Sequence, residues 1–279
     1  MTSVQTVDIE QIGRETVKST PDLIVTEEPL EIRLGYGPAD SRGQMSLAVT
    51  MRTPSSDEEL SLGFLFSEGV INSIEEVLSA KYCDDLGMVD NHENVIRVEL
   101  APTVKLDPEQ FNRNFYTTSS CGVCGKAAIE AINVTCNPLP SDSIQIDQKL
   151  IFDLPQKLRA AQEVFKHTGG LHASAIFDLE GKLLAHREDV GRHNALDKLV
   201  GYYLKSDMSQ LKSSILLLSG RISFELVQKA VRAGIPIIAA VGAPSSLAVD
   251  MAKDFGITLI GFLGEKKFNI YNAKQRISF

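Results

Sequence analysis

Tryptophan is absent from the 279 residues, and so is any run approaching 18 consecutive apolar residues, so no membrane-spanning helix is expected. The first ten residues are polar and have no apolar core, so they do not read as a secretory leader. The chain is therefore expected in the cytoplasm, where thiols stay reduced. Cations are in short supply: 28 Lys and Arg stand against 36 Asp and Glu, a net charge of -8. Such a surface repels phosphates, so neither DNA, RNA nor a membrane surface is an expected partner. The four cysteines, Cys83, Cys121, Cys124 and Cys136, are too few for a disulfide framework in a chain this long. Internal repeats and low-complexity tracts are also missing.

What is present has the balance of a globular protein, 43% hydrophobic and 23% charged. Residues 1–21 read as a flexible polar lead-in. Strand character begins at Leu23-Ile24-Val25 and returns at Leu30–Leu34, Met45–Met51, Ala80–Cys83 and Val95–Leu100. Ser56-Asp57-Glu58-Glu59 fits a capping box, opening a helix that ends near Gly69. Residues 22–140 thus read as a smaller α+β domain, and Asn137-Pro138-Leu139-Pro140 as a linker.

Residues 141–279 are more regular. A helix capped by Asp153, with Pro155 in its first turn, runs to His167 and stops at Gly169-Gly170. A strand pair (Leu171–Asp178, Lys182–Arg187) and a helix (Asn194–Leu204) follow. Apolar strands at Ser214–Ser219, Pro236–Val241 and Ile257–Phe262 then alternate with helices at Ser223–Ala233 and Ser245–Phe255. All-apolar strands imply a sheet covered by helices on both faces and mostly parallel in its later part, an α/β/α three-layer domain. Ligands in such sheets sit outside the carboxyl ends of the strands. The order resembles the cytidine-deaminase fold. That fold's zinc enzymes use H-x-E and P-C-x-x-C, whereas this chain has His193-Asn194-Ala195 and Ser219-Gly220-Arg221-Ile222-Ser223. Without the thiolates and the glutamate, no zinc is expected there.

The sharpest chemical feature is Cys121-Gly122-Val123-Cys124-Gly125. A helix expected from Lys126 would direct its positive end at the thiols, and Lys126 adds a cation. Both effects favour the thiolate, which is the reactive form. Two thiols at this spacing can attack, relay or resolve a sulfur–sulfur bond. Half of a zinc site, a thioredoxin-like pair and a structural pair remain open on the residues alone. His172, His193 and Arg221 read as the mouth of a polar pocket, although each histidine also has an ordinary structural reading. Gly220, Gly242 and Gly264 follow apolar strands; Gly220 and Gly242 also precede helices, where anion-binding helix starts and simple tight turns are equally open.

Four segments in order carry a specific resemblance: Thr118–Gly125, Thr168-Gly169-Gly170-Leu171-His172, Asp189–Lys198 and Ser219-Gly220-Arg221. Together they resemble the FdhD family of formate dehydrogenase accessory proteins, from about Asp22 to the C-terminus. The resemblance implies a sulfur carrier of sulfurtransferase type. It implies that Cys121 takes sulfur as a persulfide from a cysteine desulfurase, with Cys124 either carrying sulfur in turn or assisting. The acceptor implied is the bis-molybdopterin guanine dinucleotide form of the molybdenum cofactor, which formate dehydrogenase requires. The family's cofactor segment maps onto Phe262, Leu263, Gly264, Glu265, Lys266 and Lys267, with His172, His193 and Arg221 expected to join it. A guanine nucleotide such as GDP should bind there, and a homodimer is expected. The alternative implied function is a cofactor-holding chaperone with a structural Cys121–Cys124 pair.

Overall fold

The computed structural model describes residues 2–83, 92–106, 138–139 and 144–279. Cys121, Cys124, Cys136 and the helix expected from Lys126 lie outside the described residues, so the expectations on them are carried by sequence alone.

The polar start does not form an irregular lead-in. β1 (Val4–Ile12) and β2 (Val17–Val25) pair as an antiparallel hairpin across their full length, Val4 opposite Val25 and Ile12 opposite Val17. The alternation of Val7 and Ile9 with Asp8 and Glu10 is a strand signal that the excess of polar residues hides. A two-stranded ribbon is marginal by itself in water. This one is anchored where the Thr26 N–H donates to the Ser3 carbonyl at 3.0 Å and the Ser3 hydroxyl to that of Pro54 at 2.9 Å.

Next come β3 (Glu28–Tyr36), β4 (Gly43–Arg52), α1 (Asp57–Ser67), β5 (Val77–Tyr82) and β6 (Val95–Leu100). Their strands form a four-stranded sheet in the order β4-β3-β6-β5, with β3 and β6 parallel. The expected capping box is absent. Ser56 sits in the left-handed region at φ 54 and makes no side-chain cap bond. Glu59 instead pairs with Arg187 at 2.6 and 2.8 Å. Asp57, Glu58 and Glu59 still place negative charge at the positive end of the helix.

The second half comprises β7 (Ile146–Asp147), α2 (Gln148–Ala161), α3 (Glu163–Thr168), β8 (His172–Phe177), β9 (Leu183–Asp189), α4 (Arg192–Lys205), β10 (Ile215–Leu218), α5 (Phe224–Arg232), β11 (Ile237–Ala240), α6 (Ser246–Asp254), β12 (Thr258–Gly261), β13 (Asn269–Asn272) and β14 (Ile277–Ser278). The first helix starts earlier than expected. Asp147, not Asp153, is its N-cap, accepting from the Lys149 N–H at 2.8 Å. Pro155 is therefore interior, and the chain breaks at Gln162 before α3 ends on Gly169 in the left-handed conformation.

One six-stranded sheet runs β13-β12-β11-β10-β8-β9, with β10, β11 and β12 parallel. Alternate strand residues enter opposite layers. Ile215, Leu217, Ile237 and Ala239 pack with Ile151, Leu154 and Leu158 of α2. Leu216, Leu218, Ile238 and Ala240 pack toward α4, α5 and α6. The three-layer α/β/α arrangement follows directly, and each fully buried Leu or Ile side chain contributes about 1.5–3 kcal/mol. The same apolar cluster continues into the first half through Leu34, Leu62 and Leu65, so the two sheets share a core.

Candidate functional site

A cleft of about 860 Å³ opens at the carboxyl ends of β10, β11 and β12. Ser219, Val241 and the Leu263-Gly264-Glu265 segment form its sheet side, and Gly169-Gly170-Leu171-His172 its floor. The opposite wall is a face of α2 and α3 carrying Phe152, Asp153, Gln156, Arg159 and Phe165. The Arg159 guanidinium lies 4.1 Å over the Phe165 ring, a flat platform of cation and arene. Phe152 meets Phe268 with ring centroids 5.0 Å apart.

Of the residues expected to hold the cofactor, His172, Leu263, Gly264 and Glu265 line this cleft, while Phe262, Lys266, Lys267, His193 and Arg221 are not among its lining residues. The expected convergence on a single pocket is therefore only partial. Phe262 has φ 52, an unusual conformation for a bulky residue. Its N–H donates to the Gly242 carbonyl at 3.0 Å, and the next N–H, of Leu263, to Ala240 at 2.9 Å. The twist buries Leu263 and turns Phe262 outward, half exposed. Strain of this kind costs about 1–3 kcal/mol and is retained where the surroundings enforce it.

Gly242 is set by backbone crowding: a Cβ there would sit 2.7–2.8 Å from the backbone of Gly220 and Arg221. The Gly242 N–H donates to the Gly220 carbonyl at 3.1 Å. Gly220 in turn lies against the His172 ring. Burial pushes the His172 pKa below its ordinary value, and the nearby charges of Arg192, His193 and Arg221 push the same way against Asp189. His172 thus faces the cleft as a neutral imidazole at neutral pH.

His193 stands on the first turn of α4, with Nε2 at 2.9 Å from the Ser223 hydroxyl and 3.7 Å from the Glu225 carboxylate. The contact with His193 holds Glu225 down at about 2, against a partial cost of burial. Ser223 gives its hydroxyl to this pair rather than capping α5.

Much of the Asp189–Lys198 segment is architectural. Asp189 is fully buried, 2.6 Å from Lys198 Nζ, and accepts from the N–H groups of Thr53 at 3.1 Å and Gly191 at 2.8 Å. Asn194 donates to the Met51 carbonyl at 2.8 Å, and Lys198 to that of Thr53 at 2.8 Å. These bonds lock the loop before α4 onto the end of β4, so they orient Arg192 and His193 without offering chemistry themselves. Reading from sequence missed the α2 wall. The signal was there, in Phe152, Gln156 and Arg159 at i, i+4 and i+7, but a helix begun at Asp153 conceals that face.

Residues 25–278 match the model of the FdhD/NarQ family. A protein from Streptomyces avermitilis named Sulfur carrier protein FdhD is 51% identical over 266 residues, covering 94% of this chain and 91% of its own. One of the same name from Sulfurisphaera tokodaii is 43% identical over 275 residues, covering 98% and 99%. A solved structure from Desulfotalea psychrophila, a candidate formate dehydrogenase accessory protein, superposes with a TM-score of 0.74 at 24% identity, covering 99% of this chain and 100% of that one; it supports the fold. With the match spanning nearly the whole chain and several relatives this similar, the chain belongs to the FdhD/NarQ family.

Proposed function

We propose that this protein is a sulfur carrier serving formate dehydrogenase in the cytoplasm, taking sulfur from a cysteine desulfurase as a persulfide on Cys121. The Cys121 thiolate attacks the outer sulfur of the donor's persulfide. A sulfur–sulfur bond forms at Cys121, the donor's sulfur–sulfur bond breaks, and the donor leaves as a thiolate. For onward transfer the Cys124 thiolate would attack the inner sulfur of the Cys121 persulfide. A Cys121–Cys124 disulfide forms, the persulfide's own sulfur–sulfur bond breaks, and the terminal sulfur leaves as sulfide for the bis-molybdopterin guanine dinucleotide molybdenum cofactor, a dithiol reductant then restoring the two thiols. The observation that carries this reading is the 51% and 43% identity, over most of the chain, to relatives named Sulfur carrier protein FdhD, in a sequence that holds the Cys121-x-x-Cys124 motif.

That cleft has the character of a nucleotide site: an aromatic platform, apolar walls and a few polar groups. In this reading it holds the guanine end of the cofactor, for which GDP is a mimic. Leu263, Gly264, Glu265 and His172 would contact the ligand within the cleft. Phe262, Lys266, Lys267, His193 and Arg221 would serve its continuation beyond the cleft. A homodimer is the proposed working state.

The test is mass spectrometry of the protein after incubation with a cysteine desulfurase and cysteine. An adduct of one sulfur atom on Cys121 is the expected result. Its absence from a desulfurase-competent mixture would favour a cofactor-holding chaperone in which the cysteine pair is structural.

A further inference from the structure

The wall of the cleft opposite the sheet has a pattern that bears on which base can enter. Asp153 and Gln156 lie one helical turn apart on α2 and both line the cleft. Residues at this spacing are neighbours on a helix surface, their Cβ atoms about 5–6 Å apart. Among the described residues, the Asp153 carboxylate has neither a hydrogen bond nor an ion pair, and nor has the Gln156 amide. α2 is a capped helix of 14 residues whose inner face is anchored by Ile151, Leu154 and Leu158. The two polar groups are therefore held on a rigid support.

A carboxylate offers only acceptors, whereas an amide one turn away offers a donor. Guanine presents the complement along one edge: N1–H and the N2 amino group as adjacent donors, with the O6 acceptor beside them. Adenine presents an acceptor at N1, which would face the carboxylate and be repelled. The Arg159–Phe165 platform on the same wall supplies a surface for a planar ring. Glu265 is the other carboxylate lining the cleft. It is exposed, as Asp153 and Gln156 are, but it stands on the Gly264 turn, whose N–H donates to the Lys267 carbonyl at 3.1 Å, rather than on a helix.

We infer that Asp153 selects the base: its carboxylate accepts from N1–H and N2–H of a guanine nucleotide while Gln156 donates to O6. This rests on the reading of the cleft as a nucleotide site. It adds the residue that makes the site guanine-specific.

The experiment is calorimetric titration of the full chain with GDP, IDP and ADP. IDP keeps O6 and N1–H and lacks only the N2 amino group. Wild type is expected to bind GDP at least about tenfold more tightly than IDP, and IDP more tightly than ADP, because each lost contact involves a charged acceptor. Asp153→Asn should weaken GDP about 10- to 100-fold and bring the GDP-to-IDP ratio near unity. Asp153→Glu should keep a preference for GDP. If wild type binds GDP but Asp153→Asn leaves the ratio unchanged, or if Glu265→Gln collapses it instead, Asp153 is not the selector and the nucleotide cleft stands. If wild type binds no guanine nucleotide, the cleft reading and the selector fall together.

Discussion

Gly63 of α1 and Gly201 of α4 meet where the two helices cross, and neither leaves room for a methyl group. A Cβ at Gly63 would overlap the Asp197 carbonyl, and one at Gly201 the Glu59 carbonyl. The two halves of the protein thus touch backbone to backbone. Gly201→Ala is expected to destabilise the protein by at least about 1–3 kcal/mol, the usual penalty for overpacking. A urea denaturation midpoint equal to wild type would show that the crossing relaxes freely.

Beside that crossing, Lys229 of α5 is buried against Asp197, its Nζ 2.9 Å from both carboxylate oxygens, and Ser67 donates to Asp197 at 2.9 Å. Burial opposes the charge on Lys229, but the Asp197 and Glu68 carboxylates outweigh it and raise the pKa. Lys229→Met should cost about 3–5 kcal/mol, because Asp197 is left charged and buried. Adding Asp197→Leu should recover much of that loss. Denaturation of the single and double variants checks it, and a double variant no more stable than the single would contradict the charge argument.

Burial sets the titration of two histidines. His172 and His186 both have folded pKa values below the ordinary 6.5. The unfolded chain therefore binds more protons than the folded one in the window just below 6.5. Their contribution to stability is complete above about pH 6.5 and declines as pH falls toward the folded values. Glu225 behaves as a depressed carboxyl: its contribution is complete above 4.5 and lost as pH falls toward about 2. NMR titration should place the His172 and His186 imidazoles below 6.5. A His172 value at or above it would mean the ring is not held neutral beside the cleft.

Cys121→Ala is expected to fold as wild type yet abolish maturation of formate dehydrogenase, since the sulfur then has no nucleophile to ride on. The readout is formate dehydrogenase activity in cells carrying only the variant. Full activity would remove the relay from consideration.

Purified protein is expected to hold no stoichiometric zinc: in the resemblance to the deaminase fold drawn from the sequence, Gly220 and Ser223 would take the places of the thiolate ligands. Elemental analysis checks this. About one zinc per chain, lost when Cys121 and Cys124 are both replaced, would turn the cysteine pair into a metal site.

The strands and helices from β8 to β12 were legible in the sequence because burial on both faces leaves its mark there. Ile215–Leu218, Ile237–Ala240 and Thr258–Gly261 are wholly buried, so each reads as a short, nearly continuous apolar run between turn residues. The family resemblance was legible for a different reason, since its motifs are contiguous. The β1–β2 hairpin was not: its faces are mostly exposed, and what anchors it lies at Thr26 and Pro54. Nor was the fate of Glu59, which forgoes a local cap for Arg187. The roles within Asp189–Lys198 depended likewise on partners far along the chain, at Met51 and Thr53. Local pattern fixes which segments must be buried and how they repeat. Which polar side chain becomes an anchor and which faces a cleft is decided by contacts between distant segments, because a buried charge or amide is tolerated only where the fold brings it a partner.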